Sequence, residues 1–290
     1  MKKVGLIGTG MLGKAVGLHL LKSGYTLVAY NRTKEKTKEL EINGANIVDS
    51  PKDVALGSDV VITVVKDSDA VKQVAFEKNG IVYGNHEGLV ICDMSTINPL
   101  ESKKIFKKFK ENNMIMLDTP VMGGPNVAIT GDLVMMASGD KKTFDECKDL
   151  FDVIAKRVFY LGENGTAHAI KLAMNLQITM LALALSEGIT LARGVNVNPK
   201  DFLEILNSTY FKTGMSENKA FKMIQDNFEP TFTLENLKKD INTISDTAKS
   251  LGLNLPMAEK SKVVYENAVK EGFGNLDYTG ILAYIKKLNE

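Results

Sequence analysis

Apolar positions in the first half of the chain fall into short runs separated by stretches with helical spacing. Runs at 3–8, 26–31, 60–65, 89–94 and 114–117 read as strands; stretches at 11–23, 34–43, 51–56, 68–75 and 99–112 read as helices. Strand and helix in alternation predict βαβ units and a parallel sheet with helices on both faces. Ile62, Thr63, Val64 and Val65 are all β-branched, the pattern of a strand covered on both sides. A further pair of strands around a helix is expected over 133–138, 141–154 and 158–161. Beyond 162 the strand-like runs stop. Helical spacing continues at 165–193, 199–208, 219–225, 234–251, 257–271 and 277–288, with Pro199 and Pro256 suited to first helical turns. The shift divides the chain into an α/β domain, 1–162, and an all-α domain, 163–290.

Composition narrows the function classes. Lys plus Arg number 36 and Asp plus Glu 35, and the net charge of +1 gives no footing for nucleic acid or another polyanion. With 290 residues, 44% of them hydrophobic, the chain can bury two cores without disulfides or metals. Cys92 and Cys147 are its only cysteines and lack ligand spacing, so no disulfide framework is expected. His19, His86 and His168 lie far apart, so no metal site is expected. Met1-Lys2-Lys3 and the apolar run after it have the outline of a signal peptide, but Gly5, Gly8, Gly10 and Gly13 interrupt it. Residues 172–192 are apolar enough to raise a membrane span, yet carry Asn175, Gln177, Ser186 and Glu187. The expectation is a reduced, soluble, cytoplasmic protein without membrane or nucleic-acid partners. Its long helix should be buried between domains or against another copy of the chain, in a homodimer or homotetramer.

Gly8-Thr9-Gly10-Met11-Leu12-Gly13 matches G-x-G-x-x-G between an expected strand and an expected helix. In that context the glycines allow a tight turn, close approach of a pyrophosphate and close helix–strand packing, as in a Rossmann-type doubly wound domain. An NAD site usually carries Asp or Glu about 20 residues further on, on the ribose hydroxyls. Here the second strand runs into Asn31-Arg32-Thr33, with Lys34 and Lys36 nearby. A guanidinium fork and a hydroxyl suit a 2′-phosphate, so NADP(H) is favoured over NAD(H).

Two later stretches extend the pattern: Asp118-Thr119-Pro120-Val121-Met122-Gly123-Gly124-Pro125, and Gly162-x-x-Gly165 followed by Lys171 and Asn175. Together with the glycine finger, in this order, they resemble the β-hydroxyacid dehydrogenase family over essentially the whole chain. That family includes 3-hydroxyisobutyrate dehydrogenases and glyoxylate/succinic semialdehyde reductases. The resemblance implies that Lys171 is the catalytic lysine and Asn175 its helical partner. At i and i+4 they share one helix face, from which an ammonium group can protonate a carbonyl oxygen. It also implies that Met122, Gly123 and Gly124 form the substrate loop, with backbone N–H groups for a carboxylate. Met122 departs from the family's usual serine, and Ala167 from a frequent glycine.

The same resemblance puts Thr96, in Ser95-Thr96, near the nicotinamide ribose, although capping of the helix at Pro99 is the plainer role for that pair. It implies that Lys239, in Lys239-Asp240, reaches the cofactor. Val65 and Lys66, at a strand end, should lie beside the adenosine or pyrophosphate half. His168 reads as a supporting group or a satisfied surface histidine. The expected activity is NADPH-dependent reduction of a small carboxylate-bearing aldehyde or keto acid, of the glyoxylate/succinic semialdehyde type. The alternatives are a 3-hydroxyisobutyrate-type dehydrogenase working oxidatively and, more remotely, a non-catalytic cofactor-binding interaction module.

Overall fold

The computed structural model describes residues 3–290; Met1 and Lys2, where the signal-peptide outline begins, lie outside the described residues. By internal packing the chain divides into two units, the first ending at Lys171 and the second Leu172–Glu290.

The first unit is built on six parallel strands: β1 (Lys3–Ile7), β2 (Thr26–Tyr30), β3 (Asn46–Ile47), β4 (Val60–Thr63), β5 (Val90–Asp93) and β6 (Ile115–Asp118). Their order is β3-β2-β1-β4-β5-β6. Successive crossovers therefore run outwards in opposite directions from β1 and β4, which opens a crevice beyond the carboxyl ends of those strands. The intervening helices are α1 (Met11–Lys22), α2 (Lys38–Ile42), α3 (Pro51–Leu56), α4 (Ser68–Phe76) and α5 (Pro99–Glu111).

Period-two alternation sorts the strand side chains onto two faces. Leu6, Ile62, Cys92 and Leu117 pack with Val16 and Leu20 of α1. Ile7, Val61, Ile91 and Met116 pack with Val54, Val71, Ile105 and Phe109 on the other side. Both faces are covered, as the continuous apolar runs required. A smaller sheet follows, with β7 (Val121–Met122) antiparallel to β8 (Leu133–Ala137) and β9 (Ala155–Tyr160) parallel to β8. Between them lie α6 (Pro125–Ala128), α7 (Lys141–Glu146) and α8 (Lys148–Ile154), so the single helix expected over 141–154 is broken at Cys147.

The long helix α9 (Thr166–Gly194, 29 residues) opens in the first unit and continues through the second. The second unit adds α10 (Pro199–Asn207), α11 (Gly214–Asn218), α12 (Ala220–Ile224), α13 (Leu234–Ser250), α14 (Pro256–Lys270) and α15 (Ile281–Lys287). Asn198 caps α10 ahead of Pro199, and Thr233 caps α13. Ala182 of α9 packs with Leu237, Ile241, Tyr265 and Ile281. A second cluster gathers Leu185, Ile189, Leu203, Met223 and Leu282. The loop entering α15 is tied by Asp277, whose two carboxylate oxygens each lie 2.9 Å from Lys219 Nζ. Along α9, Met174, Leu181 and Leu191 remain exposed.

Candidate active site

The glycine finger turns directly off β1. Gly8 has φ +98°, and a Cβ there would stand 2.2 Å from the Val64 carbonyl oxygen, so only glycine lets the turn pass so close to the end of β4. Gly10 caps α1 without any side-chain hydrogen bond, and nothing lies within 4 Å of where its Cβ would be. The first turn of α1 therefore lacks a side-chain cap and has open space beside Gly10, an arrangement suited to a pyrophosphate. The residues present fit a dinucleotide.

Thr9 and Asn31 sit at the root of this crevice. The Thr9 N–H donates to Asn31 Oδ1 at 3.0 Å, and Asn31 Nδ2 donates to the Thr33 carbonyl at 2.8 Å. Asn31 thus ties the finger to the end of β2, with both ends of its amide engaged inside the protein. Arg32 and Thr33 lie exposed just beyond it; Met11 is exposed and Leu12 half-buried at the start of α1.

Beyond β4 and β5 the Val65 N–H donates to Ser95 Oγ at 3.0 Å. The cap of α5 is instead Asn98, whose Oδ1 accepts from the Leu100 N–H at 2.8 Å. Ser95 therefore braces the neighbouring loop rather than the helix, which corrects the capping role expected for it. Thr96 is half-buried and Lys66 exposed at these two strand ends.

The substrate-loop motif begins as β7 and turns at Gly123, φ +118°, where a Cβ would lie 2.7 Å from Leu133 Cδ2. Gly124 faces open space, with nothing within 4 Å. Lys171, one turn into α9, is half-buried and places Nζ 3.3 Å from Met122 Sδ. The predicted proton donor and the predicted substrate loop are thus brought together.

Beneath them lies a buried ionisable cluster that sequence reasoning missed. Thr63, Asp93 and Asp118 are register neighbours at the ends of β4, β5 and β6. His168, wholly buried and so not a surface histidine, directs Nε2 towards Asp118 Oδ1 at 3.4 Å and Asp93 Oδ2 at 3.6 Å. Asp118 also accepts from Ser102 Oγ at 2.6 Å, Ser138 Oγ at 2.8 Å and the Gly165 N–H. Burial pushes the Asp118 carboxyl up, but the charge and hydrogen bond of His168, with Ser102 and Gly165, outweigh it and leave the group at about 2. For Asp93 burial wins and holds the carboxyl above its usual range, against the pull of His168, Thr63 and Ser95. Asp118 stood in the quoted motif; only the sheet order reveals its neighbours.

In the second unit, Asn175 and Lys239 meet through another missed residue. Asp240 is buried; its Oδ2 accepts from Asn175 Nδ2 at 2.7 Å, and its Oδ1 lies 2.6 Å from Lys239 Nζ. The Lys239-Asp240 pair itself was the available signal.

Comparison with known proteins agrees with this geometry. The family model for the NAD binding domain of 6-phosphogluconate dehydrogenase matches residues 3–162. That for the NAD-binding region of NADP-dependent 3-hydroxyisobutyrate dehydrogenase matches residues 165–285. The chain belongs to the β-hydroxyacid dehydrogenase family. As a member it is an NAD(P)-dependent oxidoreductase, and relatives show the same extent of match. It is 34% identical to an uncharacterized oxidoreductase, YfjR, of Bacillus subtilis (strain 168), over 98% of this chain and 100% of that one. It is 31% identical to glyoxylate/succinic semialdehyde reductase 1 of Arabidopsis thaliana, over 98% of each. In fold it matches the crystal structure of a 3-hydroxyisobutyrate dehydrogenase from Salmonella typhimurium, with TM-score 0.88 and 24% identity over 97% of this chain and 99% of that one.

Proposed function

We propose that this β-hydroxyacid dehydrogenase is an NADPH-dependent reductase of small aldehydes or keto acids that bear a carboxylate, of the glyoxylate/succinic semialdehyde type. The observation that carries this is the approach of the Lys171 ammonium to 3.3 Å from Met122, at the threshold of Gly123 and Gly124. The chemistry supplied by the bound nicotinamide is hydride donation to a carbonyl carbon. Lys171 gives its proton to the carbonyl oxygen, and the N–H groups of Gly123 and Gly124 hold the substrate carboxylate. Asp240 fixes Asn175 and Lys239 in place, and we take these two as the helical partner of the catalytic lysine and the cofactor lysine of the family. Arg32 and Thr33 take the 2′-phosphate, Thr96 lies by the nicotinamide ribose, and Val65 and Lys66 border the adenosine or pyrophosphate half. The exposed Met174, Leu181 and Leu191 of α9 support a homodimer or homotetramer, which we take to work in the cytoplasm.

The test is turnover of glyoxylate, succinic semialdehyde, methylmalonate semialdehyde and a cyclic imine with NADPH and with NADH. The expected result is oxidation of NADPH with an acid-bearing carbonyl, at kcat/KM about tenfold or more above NADH. Turnover of the imine alone, or of no acid-bearing carbonyl, overturns the proposal.

A further inference from the structure

Among the described residues, His168 is the one buried side chain that faces two carboxylates with a single ring nitrogen. Asp93 and Asp118 approach Nε2 from adjacent strand ends, and all three side chains have zero exposure. Among the described residues no hydrogen bond reaches Asp93 Oδ2, the oxygen turned towards the ring. A buried carboxylate oxygen without a donor is costly unless a charge compensates it. Each aspartate also anchors a different part of the crevice. Asp93 accepts from Thr63 Oγ1 at 2.6 Å and the Ser95 N–H at 3.2 Å, and Ser95 in turn receives the Val65 N–H. Asp118 holds N–H groups at the start of α9, directly at Gly165 just before it and through Ser138 Oγ at Ala167 inside its first turn (3.2 Å). It also lies at the root of the loop leading to Met122.

We propose that His168 is a positioning residue: an imidazolium clamped between Asp93 and Asp118 that fixes the cofactor-side loops, the substrate-loop root and the start of α9 as one piece. Its effect on turnover rests on Lys171 being the proton donor proposed above, because His168 sits one turn before it. Its charge state and its part in stability do not. The other groups that touch the two aspartates or the turn before the ring are Thr63 of β4, Ser102 of α5, Ser138 just past β8 and Lys103 of α5 against Gly165, and Lys171 follows on the same helix. The carboxylates the ring faces are those of Asp93 and Asp118, the two it bridges.

Spectra, thermal unfolding and kinetics on the full chain test this. Ring 15N–1H correlation spectra of histidine-labelled protein, assigned with variants at each histidine, should show His168 doubly protonated up to about pH 8. In thermal unfolding, His168→Gln should lower Tm by about 5 °C or more at about pH 8 and by less in acid, because burial already holds the Asp93 carboxyl above its usual range and favours its protonation. Adding Asp93→Asn to His168→Gln should flatten that pH dependence and return part of the lost Tm. With an acid-bearing carbonyl as substrate, His168→Gln should lower kcat by a larger factor than it raises the Kd for NADPH. A singly protonated ring at about pH 7, or an Asp93→Asn change that worsens His168→Gln at every pH, shows a neutral packing residue and overturns the clamp. Failure of the kcat arm alone, with the spectra and Tm as expected, refutes the coupling to Lys171 and leaves the charge assignment standing.

Discussion

The Lys171 ammonium donates to the Met122 thioether across 3.3 Å. A thioether is a weak acceptor and no donor, whereas the serine usual in this family would offer a hydroxyl to a substrate carboxylate. Met122→Ser should therefore lower KM for an acid-bearing carbonyl by about tenfold, the value of a hydrogen bond to a charged group. Steady-state kinetics of the variant check this, and an unchanged or higher KM would show that the carboxylate binds away from this loop.

Arg32 is exposed at the end of β2, with no carboxylate in the following Thr33-Lys34. Arg32→Ala should raise the Kd for NADPH by about 10- to 100-fold and leave that for NADH nearly unchanged. Titration of both cofactors by calorimetry decides it; equal losses for the two would remove Arg32 from the 2′-phosphate.

The amide of Asn175 is spent on the buried Asp240 carboxylate. Asn175→Ala should cost about 2 kcal/mol by leaving that acceptor short of a donor. Asn175→Asp should cost more, since it buries a second carboxylate beside the first. Urea unfolding of the two variants should rank them in that order, and costs near zero for both would mean the contact contributes little.

Asp118 supplies a stability window in acid. Its folded pKa of about 2 lies below the unfolded carboxylate range of about 4, so its contribution is complete above about pH 4 and disappears as pH falls through about 2. The unfolding free energy of the native chain should exceed that of Asp118→Asn, and the gap should shrink by about 2 kcal/mol over that interval. A gap that does not narrow would show that Asp118 is not held ionised.

Legibility in the sequence followed the range of the interactions. The strand at Val60–Thr63 and the finger at 8–13 were readable because a strand period and three glycine positions are local properties. The family resemblance carried Lys171 to its loop, since order along the chain is enough for that. Strand β7, two residues long, was lost inside the substrate-loop motif, and α11, Gly-Met-Ser-Glu-Asn, has no apolar period to announce it. Asp93, Asp118 and His168 were not readable as a cluster. They lie 25 and 50 residues apart, and only the placing of β5 beside β6 brings them together. Asp240 was visible as one half of a charged pair, but nothing local marks it as the partner of Asn175.

The central claim is that Lys171 supplies the proton as the carbonyl is reduced, and it is tested most directly by single-turnover reduction with enzyme saturated by NADPH. Lys171→Ala should slow the hydride-transfer step by about 10²- to 10⁴-fold, the range of general acid catalysis, with the Kd for NADPH within about threefold of the native value. A native-like single-turnover rate in that variant would contradict the assignment.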